Sequence, residues 1–148
     1  MTELNLADFP LRTFDKIRYG DTDRQGHVNN AMFSTFLETG RVEALYNTEF
    51  PVLSEGASFV IAALKLEYLQ EITWPGRVEI GTGVLKIGTS SVTILQQLFQ
   101  NERCVARAET VVVQVDDVTK RSSPLSAAAR QIMSGWLLGD TSPGNPNR

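Results

Sequence analysis

Hydrophobic residues recur along the chain with two different spacings, the alternation of a β-strand and the three-to-four-residue repeat of a helix. Apolar and polar residues alternate over residues 14–19, which predicts a strand that Gly20 ends ahead of a polar loop. The period then changes to the i, i+3, i+4, i+7 spacing of a helical face, which predicts a helix over residues 30–46. The residues on that face are Phe33, Phe36, Leu37, Gly40, Ala44 and Leu45. Asn29 or Asn30 is expected to cap the helix, because an Asn side-chain oxygen accepts from first-turn amides.

The second half of the chain has the pattern of β-strands. Alternation predicts four of them, over residues 58–69, 77–87, 91–100 and 103–116. The short connections Gly88-Thr89-Ser90 and Asn101-Glu102 favour hairpins and therefore antiparallel neighbours. A second, shorter helix is predicted over residues 124–138, with Pro124 in its first turn. This order of elements predicts an α+β domain in which an antiparallel five-stranded sheet wraps around one long central helix.

Length and composition narrow the class of protein. A chain of 148 residues allows one domain, which we expect over residues 1–138, with a disordered tail over residues 139–148. The net charge of −3 argues against nucleic acid or an anionic membrane as a partner. The apolar run of residues 59–64 is far shorter than the roughly 20 residues that span a bilayer. Residues 1–8 lack the pattern of an export signal, so we expect a cytoplasmic protein.

Chemically useful side chains concentrate in the loop ahead of the long helix, Asp21-Thr22-Asp23-Arg24-Gln25-Gly26-His27-Val28-Asn29-Asn30. A calcium loop fits this spacing only in part, because Met32 stands where an EF-hand needs a bidentate Glu. A transition-metal site is a second interpretation, although the chain has one His. Turn formation and helix capping are a third, and they leave two aspartates beside a histidine unexplained. Catalysis is the fourth, since a carboxylate beside the free amides of a helix N-terminus suits acyl transfer.

The loop and the elements after it resemble the 4-hydroxybenzoyl-CoA thioesterase branch of the hotdog-fold acyl-CoA thioesterases. The resemblance rests on Asp-x-x-Gly-His-Val-Asn-Asn from Asp23, on Phe36-Leu37-Glu38 with Arg41, and on Trp74-Pro75-Gly76 between strands in the right order. It implies a hotdog fold and hydrolysis of an acyl-CoA to free acid and CoA. It also implies that the enzyme uses no metal and no cofactor, and that it is a homodimer or homotetramer with active sites at the subunit interface.

The resemblance assigns roles to individual residues. Asp23 matches the catalytic carboxylate, acting as nucleophile or general base, and the main-chain N–H near Asn30 would polarise the thioester carbonyl. The loop residues expected to shape or line the pocket are Gly26, His27, Val28 and Asn29. Hydroxybenzoyl-specific members would carry other residues after the glycine, so the expected substrate is a small acyl- or aryl-CoA. A non-catalytic acyl or CoA binder and a hotdog dehydratase stay open as alternatives.

Two features of the strands complete the prediction. Lys86, with Ser90 and Ser91 of the following turn, is expected near the CoA phosphates because the resemblance brings that turn near the nucleotide. Gly81-Thr82-Gly83 looks like a phosphate loop only superficially, since it lacks a following helix. We expect it to mark a β-bulge.

Overall fold

The computed structural model describes residues 4–139. Its helices and strands are β1 (Leu11–Lys16), α1 (Asn30–Leu45), β2 (Ala57–Tyr68), β3 (Arg77–Ile87), β4 (Ser91–Gln100), β5 (Arg103–Asp116) and α2 (Ala127–Ser134). Two single 3-10 turns, Leu6–Asp8 and Tyr19–Asp21, flank β1. The strands β3, β4 and β5 begin and end where the alternation predicts. Of the predicted tail, residues 140–148 lie outside the described part of the chain.

Two predicted elements have wrong boundaries at both ends, the first strand and the second helix. The first strand lies three residues earlier than predicted, because the chain turns at Tyr19–Asp21 while Leu11 already pairs with β3. The second helix begins at Ala127, because the hydroxyl of Ser126 accepts from Ala129 N at 3.0 Å and caps it, so Pro124 precedes the helix. It ends at Ser134 and not at residue 138, because the chain turns there and Leu137 pairs with Val84 of β3.

The glycines of β3 do not mark a bulge. The irregularity in β3 falls later, between Val84 and Lys86. Gly81 and Gly83 instead permit close packing, because an added Cβ would stand 2.6 Å from the Phe9 ring and 2.5 Å from Leu138.

The five strands form one antiparallel sheet in the order β1-β3-β4-β5-β2. Both predicted hairpins are present, joining β3 to β4 and β4 to β5. Asn101 and Glu102 have φ of 52° and 66°, the left-handed values that a two-residue hairpin turn requires. α1 packs mainly against β3, β1 and β4, so the sheet wraps around the helix as predicted. No helix of residues 4–139 combines the length and apolar character needed to cross a lipid bilayer.

Close contact with β3 and β4 fixes the position of α1. The buried face of the helix contains Phe36 and Leu37, and at Gly40 an added Cβ would lie 2.7 Å from Ile80 Cγ2. On the sheet side, Gln96 Nε2 donates to the Leu37 carbonyl at 2.9 Å. This contact aligns the helix so that its N-terminus reaches the loop that carries Asp23.

The edge strand β2 is less well covered than the rest of the sheet. Three of its apolar side chains, Val60, Ile61 and Leu64, are between 44% and 50% exposed. An edge strand with a run of exposed apolar residues is a typical association surface.

Candidate active site

The loop that carries Asp23 is a tight turn closed at its base. Thr22 and Val28 form an antiparallel bridge, and Asp23 N donates to the His27 carbonyl at 2.7 Å. Gly26 N donates to the Asp23 carbonyl at 3.2 Å, and Gly26 has a φ of +81°, which a residue with a side chain adopts only with strain. The Asp-x-x-Gly spacing therefore follows from the turn itself.

The two aspartates of the loop differ in what their carboxylates contact. Asp21 is buried, and its Oδ2 accepts from Arg18 N at 2.8 Å. Asp23 is exposed, and its Oδ1 accepts from Gln25 N at 2.8 Å and from His27 N at 3.2 Å. Within residues 4–139 no donor contacts the second oxygen of Asp23, Oδ2. The carboxylate of Asp23 is thus held by one oxygen and keeps the other available.

The cap of α1 leaves one amide without an acceptor. Asn29 is the cap residue: its side-chain oxygen accepts from Ala31 N at 2.9 Å, and its carbonyl accepts from Met32 N at 2.9 Å. In the described part of the chain the N–H of Asn30 has no acceptor. A free amide at the positive end of a helix can bind an oxygen that acquires negative charge.

The free amide and the free carboxylate oxygen belong to residues of one cavity of about 410 Å³. Among the predicted residues, Asp23, His27, Val28 and Asn30 line it, whereas Gly26 and Asn29 shape its loop and cap. Residues that the sequence did not single out as site residues also line it: Gln25, Phe33, Tyr68, Leu69, Gln70 and Glu71. The Phe33 and Tyr68 rings pack edge to face at 5.0 Å, and the Tyr68 hydroxyl lies 3.5 Å from the Asn30 carbonyl. No periodicity distinguishes these residues from ordinary core and strand positions.

His27 has a partner that the sequence did not suggest. Its Nε2 lies 3.1 Å from Oε2 of Glu71, in the segment that follows β2. The backbone of His27 also forms a bridge with Thr73, and Val28 N donates to the Ile72 carbonyl at 2.8 Å. The loop is therefore held against the segment after β2 by main-chain bonds as well as by this side-chain pair.

The predicted CoA-phosphate residues lie far from this cavity within one chain. Lys86, Ser90 and Ser91 stand at the β3–β4 hairpin, and Ser91 pairs with Val113 near the end of β5. The cavity adjoins Tyr68, which pairs with Ala106 near the start of β5. Seven residues of strand separate the two levels, roughly 24 Å at about 3.4 Å per residue. A single chain does not bring Lys86 and Asp23 together.

Among residues 4–139, no three His, Cys, Asp or Glu side chains cluster closely enough to hold a metal ion. The carboxylates of Asp21 and Asp23 are instead engaged by main-chain amides of their own loop. The hydrogen bonds of the loop are accordingly those of a turn, with one oxygen of the Asp23 carboxylate left free.

Comparison with known proteins identifies the family. The sequence profile of the thioesterase-like superfamily matches residues 17–133, a stretch that contains the loop, α1, the strands β2 to β5 and most of α2. The chain belongs to this superfamily. Similar curated proteins include the acyl-CoA thioester hydrolase YbgC of Escherichia coli, 27% identical over 124 residues that cover 81% of this chain and 90% of that protein. The acyl-CoA thioesterase YbgC of Haemophilus influenzae is 26% identical over 116 residues, 76% of this chain and 82% of that protein.

Solved thioesterase structures share the fold. A Thermus thermophilus thioesterase, solved in complex with coenzyme A and Zn, is 27% identical with a TM-score of 0.74, over 84% of this chain and 98% of that one. A predicted thioesterase from Bacillus stearothermophilus, 24% identical, has a TM-score of 0.75 over 86% of this chain and 96% of that one. The predicted hotdog fold, the predicted acyl-CoA thioesterase family and the predicted class of thioester hydrolase are confirmed.

Proposed function

We propose that this thioesterase hydrolyses a small acyl- or aryl-CoA to free acid and CoA, with Asp23 as nucleophile or general base. The observation that carries the proposal is the pair of unused groups in one cavity, the Oδ2 atom of Asp23 and the N–H of Asn30. The names of the YbgC relatives support the substrate class.

The Oδ2 atom of Asp23 and the N–H of Asn30 suit the two needs of thioester hydrolysis, a base for the attacking water and a donor for the carbonyl oxygen that becomes negative. As a general base, Asp23 Oδ2 takes a proton from water while the water oxygen bonds to the thioester carbon. The carbonyl oxygen becomes negative and accepts a hydrogen bond from Asn30 N–H, a contact typically worth about 2.7–4 kcal/mol in the transition state. When the tetrahedral intermediate collapses, the carbon–sulfur bond breaks and the proton held by Asp23 passes to the departing sulfur.

In the nucleophilic route, Oδ2 itself bonds to the carbonyl carbon and expels the thiolate. Water then hydrolyses the resulting anhydride and restores the carboxylate. Both routes need the same arrangement, in which Oδ1 is anchored by Gln25 N and His27 N while Oδ2 stays free. The anchoring prevents the carboxylate from rotating away from the carbonyl.

A screen of acyl-, aryl- and hydroxyacyl-CoA esters that follows thiol release tests the proposal. We expect turnover of at least one ester, with Asp23→Asn reducing it by orders of magnitude. Binding of CoA without turnover of any ester would support the non-catalytic binder instead. Hydration of an enoyl-CoA without thiol release would support the dehydratase.

We further propose that the active unit contains two copies joined through β2. The exposed residues Ile61 and Leu64 continue along β2 to Tyr68 and Leu69, which are 52% and 50% exposed and line the cavity of Asp23. A second copy seated on β2 would cover this apolar stripe and one side of the cavity. The active site would then lie at the subunit interface.

Such an arrangement also gives the β3–β4 hairpin a role. If β2 pairs antiparallel with the same strand of a second copy, the two sheets run in opposite directions across the junction. The hairpin end of one sheet then faces the Asp23 end of the other. Lys86, Ser90 and Ser91 of one copy are therefore proposed to bind CoA phosphates at the cavity of its partner. A cytoplasmic location also remains our proposal.

The assembly is tested by Leu64→Glu, which puts a charge on the proposed interface. We expect this variant to sediment as a monomer and to lose turnover, while the native chain sediments as a dimer or tetramer. Phe14→Glu is the matched control, because Phe14 is 53% exposed on β1, which is the edge strand on the opposite side of the sheet from β2. A native chain that is fully active as a monomer would contradict the assembly.

A further inference from the structure

Arg41 is a buried charge that forms no ion pair within residues 4–139. It lies in the C-terminal half of α1 and is only 8% exposed, and no carboxylate of the described residues stands within ion-pair distance of it. Burial lowers the pKa of its guanidinium, and the nearby charge of Glu38 opposes this only in part. Burying a cation is costly unless hydrogen bonds and an opposite charge compensate it. Glu38 attracts this charge without forming an ion pair with it, so the guanidinium remains able to bind a closer acceptor.

The side chain of Arg41 lines a cleft of about 160 Å³ between α1 and the sheet. The acidic residue Glu38 also lines it, and its remaining walls are formed by Val42, Leu45, Tyr46, Phe59, Ile61 and Val112. The rings of Tyr46 and Phe59 pack edge to face at 6.2 Å beside it. A cleft of this size accommodates a carboxylate at the end of a chain, whereas a nucleotide would not fit.

A row of apolar side chains on β2 runs from this cleft to the cavity of Asp23, and we call this row the trough. Alternate residues of β2 pair directly with residues of β5 that are buried beneath α1, so they share the helix-facing side of the sheet. These residues are Phe59, Ile61, Leu64, Leu66 and Tyr68. Tyr68 lines the cavity of Asp23 and Ile61 lines the cleft of Arg41. The trough therefore begins at the proposed reactive carbonyl and passes Arg41.

The length of the trough follows from the helix beside it. Asn30 and Arg41 are eleven residues apart on α1, which places their backbones about 16 Å apart at about 1.5 Å per residue. Arginine side chains on helices lean toward the N-terminus, which shortens the distance from the guanidinium to the Asn30 amide. The interval suits a flexible acyl chain of medium length.

We propose that Arg41 binds the distal carboxylate of the acyl group, so that the preferred substrates are CoA half-thioesters of dicarboxylic acids. This inference rests on the proposed function of the Asp23 site. A carboxylate accepts two parallel hydrogen bonds from a guanidinium and neutralises its charge. An acyl chain that ends in a methyl group leaves the buried cation unpaired. Arg41 thereby determines specificity without taking part in the bond-breaking steps.

The experiment compares substrates in matched pairs. Adipoyl-, suberoyl- and sebacoyl-CoA are measured against hexanoyl-, octanoyl- and decanoyl-CoA by thiol release, for the native chain, Arg41→Met and Arg41→Lys. We expect the native chain to favour the carboxylated member of at least one pair by about ten- to a hundredfold in kcat/KM. Arg41→Met should bring that ratio close to one, and Arg41→Lys should restore part of it. Arg12→Met, at an exposed arginine on β1, is the control and should keep the native ratio.

Other outcomes would overturn the inference. They are an absence of preference in the native chain, a preference that survives in Arg41→Met, and an equal fall in kcat/KM for both members of a pair. Sedimentation of Arg41→Met as a monomer would also overturn it, because the acceptor would then belong to the second copy.

Failure of the proposed function is distinguishable from failure of this inference. If no thioester is hydrolysed, the Asp23 proposal is wrong, and binding of free adipic, suberic and sebacic acids is then measured by calorimetry. Binding that disappears in Arg41→Met would still support the carboxylate site. No binding of any of the three acids would overturn it.

Discussion

Replacing Asp23 by Asn removes one function of the carboxylate and keeps the other. The amide oxygen of Asn can accept from Gln25 N and His27 N, the two bonds that Asp23 Oδ1 accepts at 2.8 and 3.2 Å. The NH2 group then stands where Oδ2 stood. It is neither a base nor a nucleophile, so the substitution separates the turn from the chemistry.

The expected magnitude follows from the free oxygen. General-base catalysis contributes typically about 10²- to 10⁴-fold, so kcat should fall by that factor with a smaller change in KM. The unfolding free energy should change by about 0.5 kcal/mol or less, because Asp23 is exposed and both hydrogen bonds survive.

Asp21→Asn is the matched control, with the opposite expectation. The Asp21 carboxylate is buried and accepts from Arg18 N, and a hydrogen bond to a charged group is worth roughly 1.5–3 kcal/mol against about 0.5–1.5 for a neutral one. We therefore expect a lower Tm with most of the turnover retained. The assay is thiol release together with thermal unfolding of both variants. A larger loss of kcat in Asp21→Asn than in Asp23→Asn would refute the assignment of Asp23.

Further substitutions test the turn at Gly26, the contact of α1 with the sheet at Gly40, and the loss of stability at acidic pH. Gly26→Ala should lower the free energy of unfolding by about 1–2 kcal/mol, because φ is +81° there, and should also lower kcat. Gly20→Ala is the control and should leave the free energy of unfolding and kcat unchanged, because an added Cβ meets no atom within 4 Å there. Gly40→Ala should lower Tm, because overpacking typically costs about 1–3 kcal/mol and exceeds the roughly 1 kcal/mol gain in helix propensity; a higher Tm would contradict the contact. Hydrogen bonds from the N–H groups of Thr119 and Val118 hold the pKa of Asp116 below its ordinary value of about 3.9. The ionised carboxylate therefore stabilises the folded protein above that value, and this stabilisation is lost as the pH falls through the pKa of the folded state. Asp116→Asn should flatten this acid limb in a Tm-versus-pH series.

The fold was predictable wherever one side of an element is buried. In β4 and β5 the buried and exposed faces alternate or the whole strand is covered, and short turns fix both ends. The position of β1 was predicted wrongly because β1 is an edge strand and contains polar residues such as Arg12. Half-buried and exposed residues alternate throughout it, so alternation alone does not show where the strand begins. The start of α2 was misplaced because Pro124 and Ser126 are both good first-turn residues, and only the Ser126 hydrogen bond decides between them.

The site was predictable only along its continuous segment. The loop from Asp23 to Asn30 supplies one wall of the cavity, and there the residue spacing reflects a turn and a cap. Tyr68 and Glu71 reach the cavity through sheet pairing, a contact between distant parts of the chain that periodicity does not record. Arg41 resembled an ordinary charge on the helix until its burial was known.

The cap of α1 connects the structural and the catalytic interpretations of the loop. Asn29 satisfies Ala31 N with its side chain and Met32 N with its carbonyl, so capping is nearly complete and the one first-turn amide left over is that of Asn30. The turn at Asp23 is similar, because Gln25 N and His27 N both donate to the Oδ1 atom of Asp23. The second oxygen of Asp23 and the amide of Asn30 belong to exposed residues of the same cavity, so both are open to solvent and to a ligand in that cavity. The residues that form the turn and the cap therefore also supply the two groups on which the proposed chemistry depends, the Oδ2 atom of Asp23 and the N–H of Asn30.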